Sequence, residues 1–491
     1  MSQRLPVKAE PTKVPRGWHS RNPVIHGRED VNEARLHLTE PHLDRLTPLD
    51  ASNLRAEDHG MPMHVAALAI VEGAALHNES GRLQMETIRE HVERRTHLAP
   101  RLRQRLRRTP FAAGPPIWVD DPAFDIANHV RTRDLSYPTD EASILQVCTE
   151  LNEAPLDRSR PLWEMWVLTG RGDGNVALLI RMHHVVADGI AALNMLGVLF
   201  DSDSVGPEPL ASDEGPRPMP EVRDLYADHL RRQGAALSRA ISLLRRPATA
   251  GRHLTSRMKQ VRQLAREGIA PRVSLNEPVS RHRRLVLVRG DLAGARATAH
   301  GHNAKVNDVV LAAIAGGARR LLQSRGELVP DLVLRVSVAA SLRGPGDEVT
   351  RGNRVGIRLV PLPVCEPDAI QRLADIAAVT TPQRDKPPFQ PGGRFLQRWM
   401  VRTMFRQRLV NLLLSNLPGP PATLYFAGAT VLELFQIGLV QGNITLSVGV
   451  LSYADQLNFD IVADAIPDLV VFAEGLTAAL EELGAVSHGL I

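Results

Sequence analysis

The most constraining stretch of this chain is NVALLIRMHHVVADGIAALNML, residues 175–196, where an apolar strand runs through a short polar turn into an apolar helix. The strand ends in His183 and His184, Asp188 and Gly189 follow, and Ile190, Leu193 and Leu196 then recur at helical spacing. A junction of this kind belongs to mixed α/β folds, which place reactive groups where a strand ends and a helix begins. Side chains alternate along a strand, so His183 and His184 point in opposite directions and only one of them faces a given cleft.

The texture around this junction repeats on both sides of a linker. From 46 to 200, MHVAALAIVEG (63–73), PIWVDD (116–121) and NVALLIRMHH (175–184) read as strands, and LQMETIREHVERR (83–95) reads as an amphipathic helix. DSDSVGPEPLASDEGPRPMPE (201–221) has linker composition, and a helical segment from Val222 to Gly268, broken at Pro247 and Gly251, extends the connection to 282. From 283 to 491 the alternation returns: RRLVLVRGDL, the helix NDVVLAAIAGGARRLL (307–322), LVLRVSVAA, NRVGIRLVPLPV, TVLELFQIGL, NITLSVGVLSY and QLNFDIVAD, with a closing helix DLVVFAEGLTAALEELG. Two mixed α/β domains with a cleft between them are expected. Residues 1–45, with Pro6, Pro11, Pro15 and Pro23 among charges, read as a flexible tail.

A chain of 491 residues has ample length for two cores. The sequence has no apolar run long enough to span a bilayer and no apolar leader, and its two cysteines, Cys148 and Cys365, exclude a disulfide framework and a cysteine-rich zinc site. A reducing, cytoplasmic setting follows as the expectation. Charge is uneven: Glu221 to Arg272 holds 12 Lys/Arg against 4 Asp/Glu, a local net of +8 in a chain whose total is +5. Such a segment suits an anionic membrane better than nucleic acid, because aromatic stacking residues are only 4% of the chain.

On the residues alone, two plain readings of the junction compete with catalysis. Both histidines can be core or rim residues with Asp188-Gly189 as a simple turn. Alternatively, His184 and Asp188, four apart, can share a helical face as metal ligands, but no HExxH pattern, cysteine cluster or further carboxylate completes such a site.

HHVVADG fits HHxxxDG, the motif of the CoA-dependent acyltransferase superfamily. The blocks LTPLDASNLRAEDHGMPMHVAALAIVEG (46–73), PIWVDDPAFDIANHVR (116–131), APLDRSRPLWEMWVL (154–168), KVNDVVLAAIAGGARRLL (305–322), SVAASLR (337–343), GNRVG (352–356) and LSNLPGPP (414–421) stand in the order found in bacterial wax ester synthase/diacylglycerol acyltransferases, which the chain resembles over residues 46 to 485. Asn53 stands where that family usually has an aromatic residue. The resemblance implies two chloramphenicol-acetyltransferase-like α/β domains with an active-site cleft or tunnel between them. It also implies transfer of a long-chain acyl group from acyl-CoA to diacylglycerol before a long-chain alcohol, with acyl-CoA as co-substrate and no other cofactor; the rival readings are another hydroxyl acceptor, a glycolipid or polyketide, and a weakly active lipid-binding paralogue.

The roles implied are those that the chemistry needs. An alcohol is a weak nucleophile at neutral pH, so a base must take its proton as it attacks the thioester; by resemblance that base is His184, with His183 its structural neighbour. The oxyanion needs fixed donors, for which a backbone N–H at the Asp188-Gly189 turn is the local candidate, and Gly189 leaves room for substrate. Asp188 is expected to turn from the cleft and pair with an arginine, with Arg343 and the arginines of APRLRQRL (99–106) as candidates. Other blocks read structurally: Pro161-Leu162-Trp163-Glu164 as a strand start with a packed tryptophan, Asn307-Asp308 as a helix cap, and Ser415 to Gly419 as a turn. In GRFLQRWMVRTMFRQRLVNLLL, Arg394, Arg398, Arg402 and Arg406 recur every four residues beside apolar stripes. This suits a basic amphipathic helix on the inner face of the plasma membrane, or equally a helix packed on the core.

Overall fold

The computed structural model describes residues 43–58, 60–135, 140–204, 215–244, 269–341, 355–384, 386, 388–389, 402–464 and 466–486. Of the expected tail, residues 1–42 lie outside the described residues, as do the breaks at Pro247 and Gly251 and Arg343, Arg394 and Arg398; residues 43–45 do not belong to a tail, because Arg45 is buried and donates to Asp228, Ala113 O and Leu225 O.

The strands in chain order are β1 (His64–Val71), β2 (Gln104–Arg107), β3 (Ile117–Asp120), β4 (Val130–Asp134), β5 (Trp163–Thr169), β6 (Val176–His183), β7 (Arg284–Asp291), β8 (Leu334–Ser341), β9 (Val355–Leu362), β10 (Leu412–Pro418), β11 (Tyr425–Phe426), β12 (Ala429–Ile437), β13 (Leu446–Tyr453) and β14 (Gln456–Ala463). They form two mixed six-stranded sheets, in the orders β11-β12-β1-β6-β5-β4 and β7-β14-β13-β10-β8-β9, with β2 and β3 as a separate pair. The principal helices are α1 (Pro48–Asp58), α2 (Met85–Glu93), α3 (Glu141–Glu153), α4 (Gly189–Gly197), α5 (Val222–Leu244), α6 (Leu292–Gly301), α7 (Val306–Ser324), α8 (Ala369–Thr380) and α9 (Leu469–Glu482).

The second sheet has a large apolar cluster with the helices that cover it, and two further clusters cover the first sheet while taking in residues of the second, among them Leu417 and Val462. In the second, α7 is buried along nearly its whole length and packs on α9. The reason lies in its Gly316-Gly317 pair: a Cβ at Gly316 would fall 2.5 Å from Ala479 Cβ, and one at Gly317 2.8 Å from Phe472 O, so the two helices meet at a separation only glycine permits. In the first, β6 is buried at every residue, which explains its uninterrupted apolar run. Its single charge, Arg181, donates to Glu164 Oε2 from Nε and Nη2 at 3.1 and 2.7 Å.

The sheets do not follow chain order. β12, far into the second half of the sequence, pairs antiparallel with β1 and extends the first sheet, with Ala66 opposite Ile437 and Leu68 opposite Phe435. Its other contacts reach the second sheet. Gln436 Nε2 donates to Ser415 O and Val450 O at 2.6 and 2.9 Å, and Asn458 Nδ2 donates to Leu434 O at 2.9 Å. The Gly438 N–H donates to Asp460 Oδ2 at 2.8 Å, and the Asp460 carboxyl is fully buried over Gly449 of β13. Burial pushes that carboxyl up to about 7.

Two expectations are corrected here. Ser415 to Pro418 is not a turn but the end of β10, a central strand parallel to both β8 and β13. The basic amphipathic helix cannot run on to Leu414, because Leu412–Leu414 already belongs to β10; three leucines in succession fit a covered strand better than a helix face. Of its arginines, Arg402 and Arg406 are described, both exposed; Arg402 is helical, and Arg406 ends the 3-10 turn Met404–Arg406 that follows.

Candidate active site

The turn after β6 is built from backbone bonds that gather several sequence blocks. The His183 N–H donates to Leu162 O of the PLW block at 3.0 Å, and the His184 N–H donates to Met63 O at the start of β1 at 2.8 Å. Trp163 is buried as expected, its Nε1 donating to Leu102 O at 2.8 Å. His183 is buried, and its Nδ1 accepts the Val185 N–H at 2.9 Å. Burial lowers His183 below the ordinary imidazole range, against the pull of Glu57, so the ring is neutral at pH 7. His184, by contrast, is only half-buried.

Asp188 is the N-cap of α4: its Oδ1 accepts the Ala191 N–H at 2.9 Å, and its own carbonyl accepts from Ala192 N–H. The cap bond holds the turn that carries the motif; Arg343, one of the arginines expected to pair with Asp188, lies outside the described residues. Of the candidate arginines, Arg101 donates to Asp44 at 2.7 Å, Arg105 lies 3.8 Å from Asp121, and Arg103 stacks over Phe124. Gly189 opens the helix, and a Cβ there would meet Leu417 Cδ1 at 3.2 Å. The motif of the first half therefore abuts β10 of the second.

The neighbour of Leu417 carries the contact further. Asn416 Nδ2 donates to Asn307 Oδ1 at 3.1 Å, so Asn307 is not the expected cap but a link from α7 to β10. Asp308 does act at the helix start, accepting Lys305 N–H at 2.8 Å as the third helical residue, and it also accepts from Thr380 Oγ1 and Arg384 Nη2, each at 2.7 Å. The HHxxxDG, SNLPG and ND blocks thus converge through side-chain contacts.

Beneath the motif lies a cluster that sequence reasoning missed. His64 stands directly opposite His183 in the β1–β6 pairing, with ring centroids 5.8 Å apart, edge to face. Glu57, in the last turn of α1, sets one carboxylate oxygen 3.1 Å from His64 Nε2 and the other 3.4 Å from His183 Nε2. Arg158 donates to the same carboxylate and, at 2.9 Å, to Asp58. Burial alone would raise the Glu57 carboxyl, but His183, His64 and Arg158 outweigh it and hold it far below the usual carboxylate range. These residues sit within the LTPLD…MPMHV and APLDRSRPLW blocks, but the register that joins them is not a sequence pattern. Among the described residues, no group of three or more His, Cys, Asp or Glu is arranged to hold a metal ion.

Comparison with known proteins accords with this geometry. Residues 46–310 match the wax ester synthase/diacylglycerol acyltransferase catalytic domain, and residues 351–484 match the WS/DGAT C-terminal domain. The chain is 32% identical over 463 residues to a probable diacylglycerol O-acyltransferase, tgs1, of Mycobacterium tuberculosis, covering 91% of this chain and 96% of the relative. It is 30% identical over 465 residues to a second putative diacylglycerol O-acyltransferase of that organism, Rv1760, covering 90% of each. Among solved structures, the wax ester synthase/diacylglycerol acyltransferase from Marinobacter aquaeolei VT8 superposes with a TM-score of 0.62 at 24% identity, over 89% of this chain and 98% of that one. The first condensation domain of the CDA synthetase superposes with a TM-score of 0.58 at 15% identity, over 90% of this chain and 96% of that one, and shares the fold. With two family domains in sequence order and relatives that match over most of their length, this chain belongs to the wax ester synthase/diacylglycerol acyltransferase family, the acyl-CoA-dependent lipid acyltransferases.

Proposed function

We propose that this protein transfers a long-chain acyl group from acyl-CoA to the free hydroxyl of diacylglycerol, giving triacylglycerol and CoA, with His184 as general base. The observation that carries the reading is the division of labour between adjacent histidines: His183 is buried and bonded through Nδ1, whereas His184, just past the end of the same strand, is only half-buried. His184 takes the hydroxyl proton as the oxygen attacks the thioester carbonyl; the tetrahedral intermediate collapses, the C–S bond breaks, and the proton passes to the departing CoA thiolate. The first N–H groups of a helix have no intrahelical acceptor, so those of Gly189 and Ile190 are candidate donors to the oxyanion, while the Asp188 cap holds that helix start in place. Gly189 lets the helix start sit close against Leu417 of β10, which fixes where these donors lie.

The acceptor is a lipid, and a surface that concentrates it favours turnover. Attachment to the cytoplasmic face of an anionic membrane is supported by α5. Its first turns are anchored, Leu225 in a small apolar cluster and Asp228 against Arg45 and Arg232. Further along, Leu230 and Leu237 are 65% and 63% exposed, with Tyr226 and Ile241 exposed beside them. At about 100° per residue these four fall within roughly 40° of one line along the helix, an apolar stripe on a basic segment. No helix among the described residues is long and apolar enough to cross a membrane.

The test is incubation of purified protein with labelled long-chain acyl-CoA and, separately, diacylglycerol, a long-chain alcohol and a glycolipid, reading both free CoA and labelled product. Triacylglycerol as the favoured product supports the reading. Wax ester or acylated glycolipid in its place reassigns the acceptor, CoA without lipid product indicates hydrolysis, and no turnover leaves a lipid-binding relative.

A further inference from the structure

The polar contacts of His64 and His183 with Glu57 and the backbone point to where three protons sit. His183 Nδ1 accepts the Val185 N–H, so that nitrogen is bare and, in a neutral ring, the proton is on Nε2, facing Glu57 Oε2 at 3.4 Å. His64 Nδ1 lies 2.9 Å from the carbonyl oxygen of Asn152, which can only accept, so Nδ1 of His64 carries a proton. Its Nε2 then lies 3.1 Å from Glu57 Oε1, an ion-pair distance at an angle too oblique for a hydrogen bond, so acceptor oxygens flank both nitrogens of the ring. The attraction of the carboxylate favours a proton on Nε2 as well. Arg158, donating to the same carboxylate, favours its ionised form and leaves that proton on His64. Glu57 is the one largely buried carboxylate of the group, and it faces Arg158 from a loop and His64 from β1, while Asp58 is half-exposed and pairs with Arg158 at 2.9 Å.

We propose that Glu57 is a positioning residue: its carboxylate fixes the Nε2–H tautomer of His183 and holds His64 as an imidazolium, and so sets the turn that presents His184. The opposite tautomer of His183 would point an N–H at the Val185 N–H, and that buried bond, the first of the 183–188 turn, would be lost. The paired strands keep the arrangement rigid, since His64 and His183 are register partners and Glu57 reaches both from one helix end. The inference rests on the role proposed for His184, but its spectroscopic arm does not.

The experiment is ring 15N NMR of histidine-labelled protein at neutral pH, with His64 and His183 assigned by single His→Gln replacements, beside steady-state kinetics of Glu57→Gln and Glu57→Leu. In the wild type, His64 is expected to show two protonated nitrogens and His183 one, Nε2. Glu57→Gln, which keeps an acceptor and removes the charge, should return His64 to a neutral Nδ1–H ring and leave His183 unchanged, with kcat retained within about threefold. Glu57→Leu should scramble the His183 tautomer and lower kcat on the order of 10²-fold while KM for acyl-CoA stays within about twofold. A singly protonated His64 or an Nδ1–H His183 in the wild type overturns the proposal. So does a His64 that stays doubly protonated in Glu57→Gln, or a folded Glu57→Leu with unchanged kcat. If Glu57→Leu does not fold, the Glu57→Gln spectrum decides. Should the wild type prove inactive on every lipid acceptor, the spectra still judge the proton positions, so the two readings fail separately.

Discussion

Gly189 and Leu417, 228 positions apart in sequence, face each other so closely that a single Cβ on the glycine would lie 3.2 Å from one Leu417 methyl and 3.3 Å from the other. The helix that starts the acyl-transfer motif is therefore seated on a strand of the opposite sheet, and the seat has no spare volume.

Gly189→Ala should destabilise the protein by about 1–3 kcal/mol through overpacking and lower activity as α4 shifts. Leu417→Ala should relieve the clash, so the double variant should be more stable than the two single losses imply. A thermal-melt cycle checks this, and strictly additive losses would show that the contact is not coupled.

His184→Ala should reduce acyl transfer by at least ~10²-fold with little change in melting temperature, since the ring is only half-buried. His183→Ala should lower the melting temperature, because it removes the acceptor of the Val185 N–H from a buried site. If His183→Ala alone silences a well-folded enzyme, the roles are reversed.

As an N-cap, Asp188 should tolerate asparagine better than alanine. Asp188→Ala is expected to cost about 1 kcal/mol and Asp188→Asn less, since the amide oxygen can still accept the Ala191 N–H. Activity should follow stability across the two variants. Equal stability with lost activity in Asp188→Asn would point to direct participation instead.

The Asp460 carboxyl, raised by burial from 3.8 to about 7, contributes stability that is fully present below pH 3.8 and is lost as pH rises through about 7. The proton is held by the folded state and not by the unfolded one, so stability falls with pH across that window, by on the order of 4 kcal/mol in all. Asp460→Asn cannot ionise, so its melting temperature relative to wild type should climb between pH 5 and pH 8. A constant difference at both pH values would show that Asp460 does not titrate in this range.

Replacing Leu230 and Leu237 by Ser should weaken co-sedimentation with anionic liposomes without altering the melting temperature, because both side chains are exposed. Wild-type binding should fall as salt rises and the Debye length shrinks. Sedimentation that ignores both salt and these leucines would remove α5 from the attachment surface.

Much of this architecture is legible in the residues. Continuous apolar runs gave β6 and β13, and the helical period at 307–322 gave α7, each within a few positions of its observed ends. The strand β10 was harder to read because an arginine-rich helical period runs straight up to it, and local spacing carries no signal of which parallel neighbours await. The motif histidines stood out as an adjacent pair where strand gives way to helix. Glu57, His64 and Arg158 did not, because they come from a helix end, a strand start and a loop, and only the β1–β6 register and the fold of α1 bring them together. The tie between Asn307 and Asn416 is likewise a product of tertiary contact, where the local rule for helix starts suggested a cap.

The placement of β12 beside β1 has a consequence for how the protein is made. During synthesis the first-half strands emerge long before residues 429–437, leaving one edge of β1 without its partner while roughly 250 further residues are added. At 5–20 residues per second that interval lasts on the order of ten to fifty seconds, in which an apolar strand edge is open to any other chain that can pair with it. The first half on a ribosome is therefore a natural client for chaperones. A truncation anywhere before residue 429 should yield aggregates rather than a smaller folded domain, and soluble product should return when the missing segment is co-expressed.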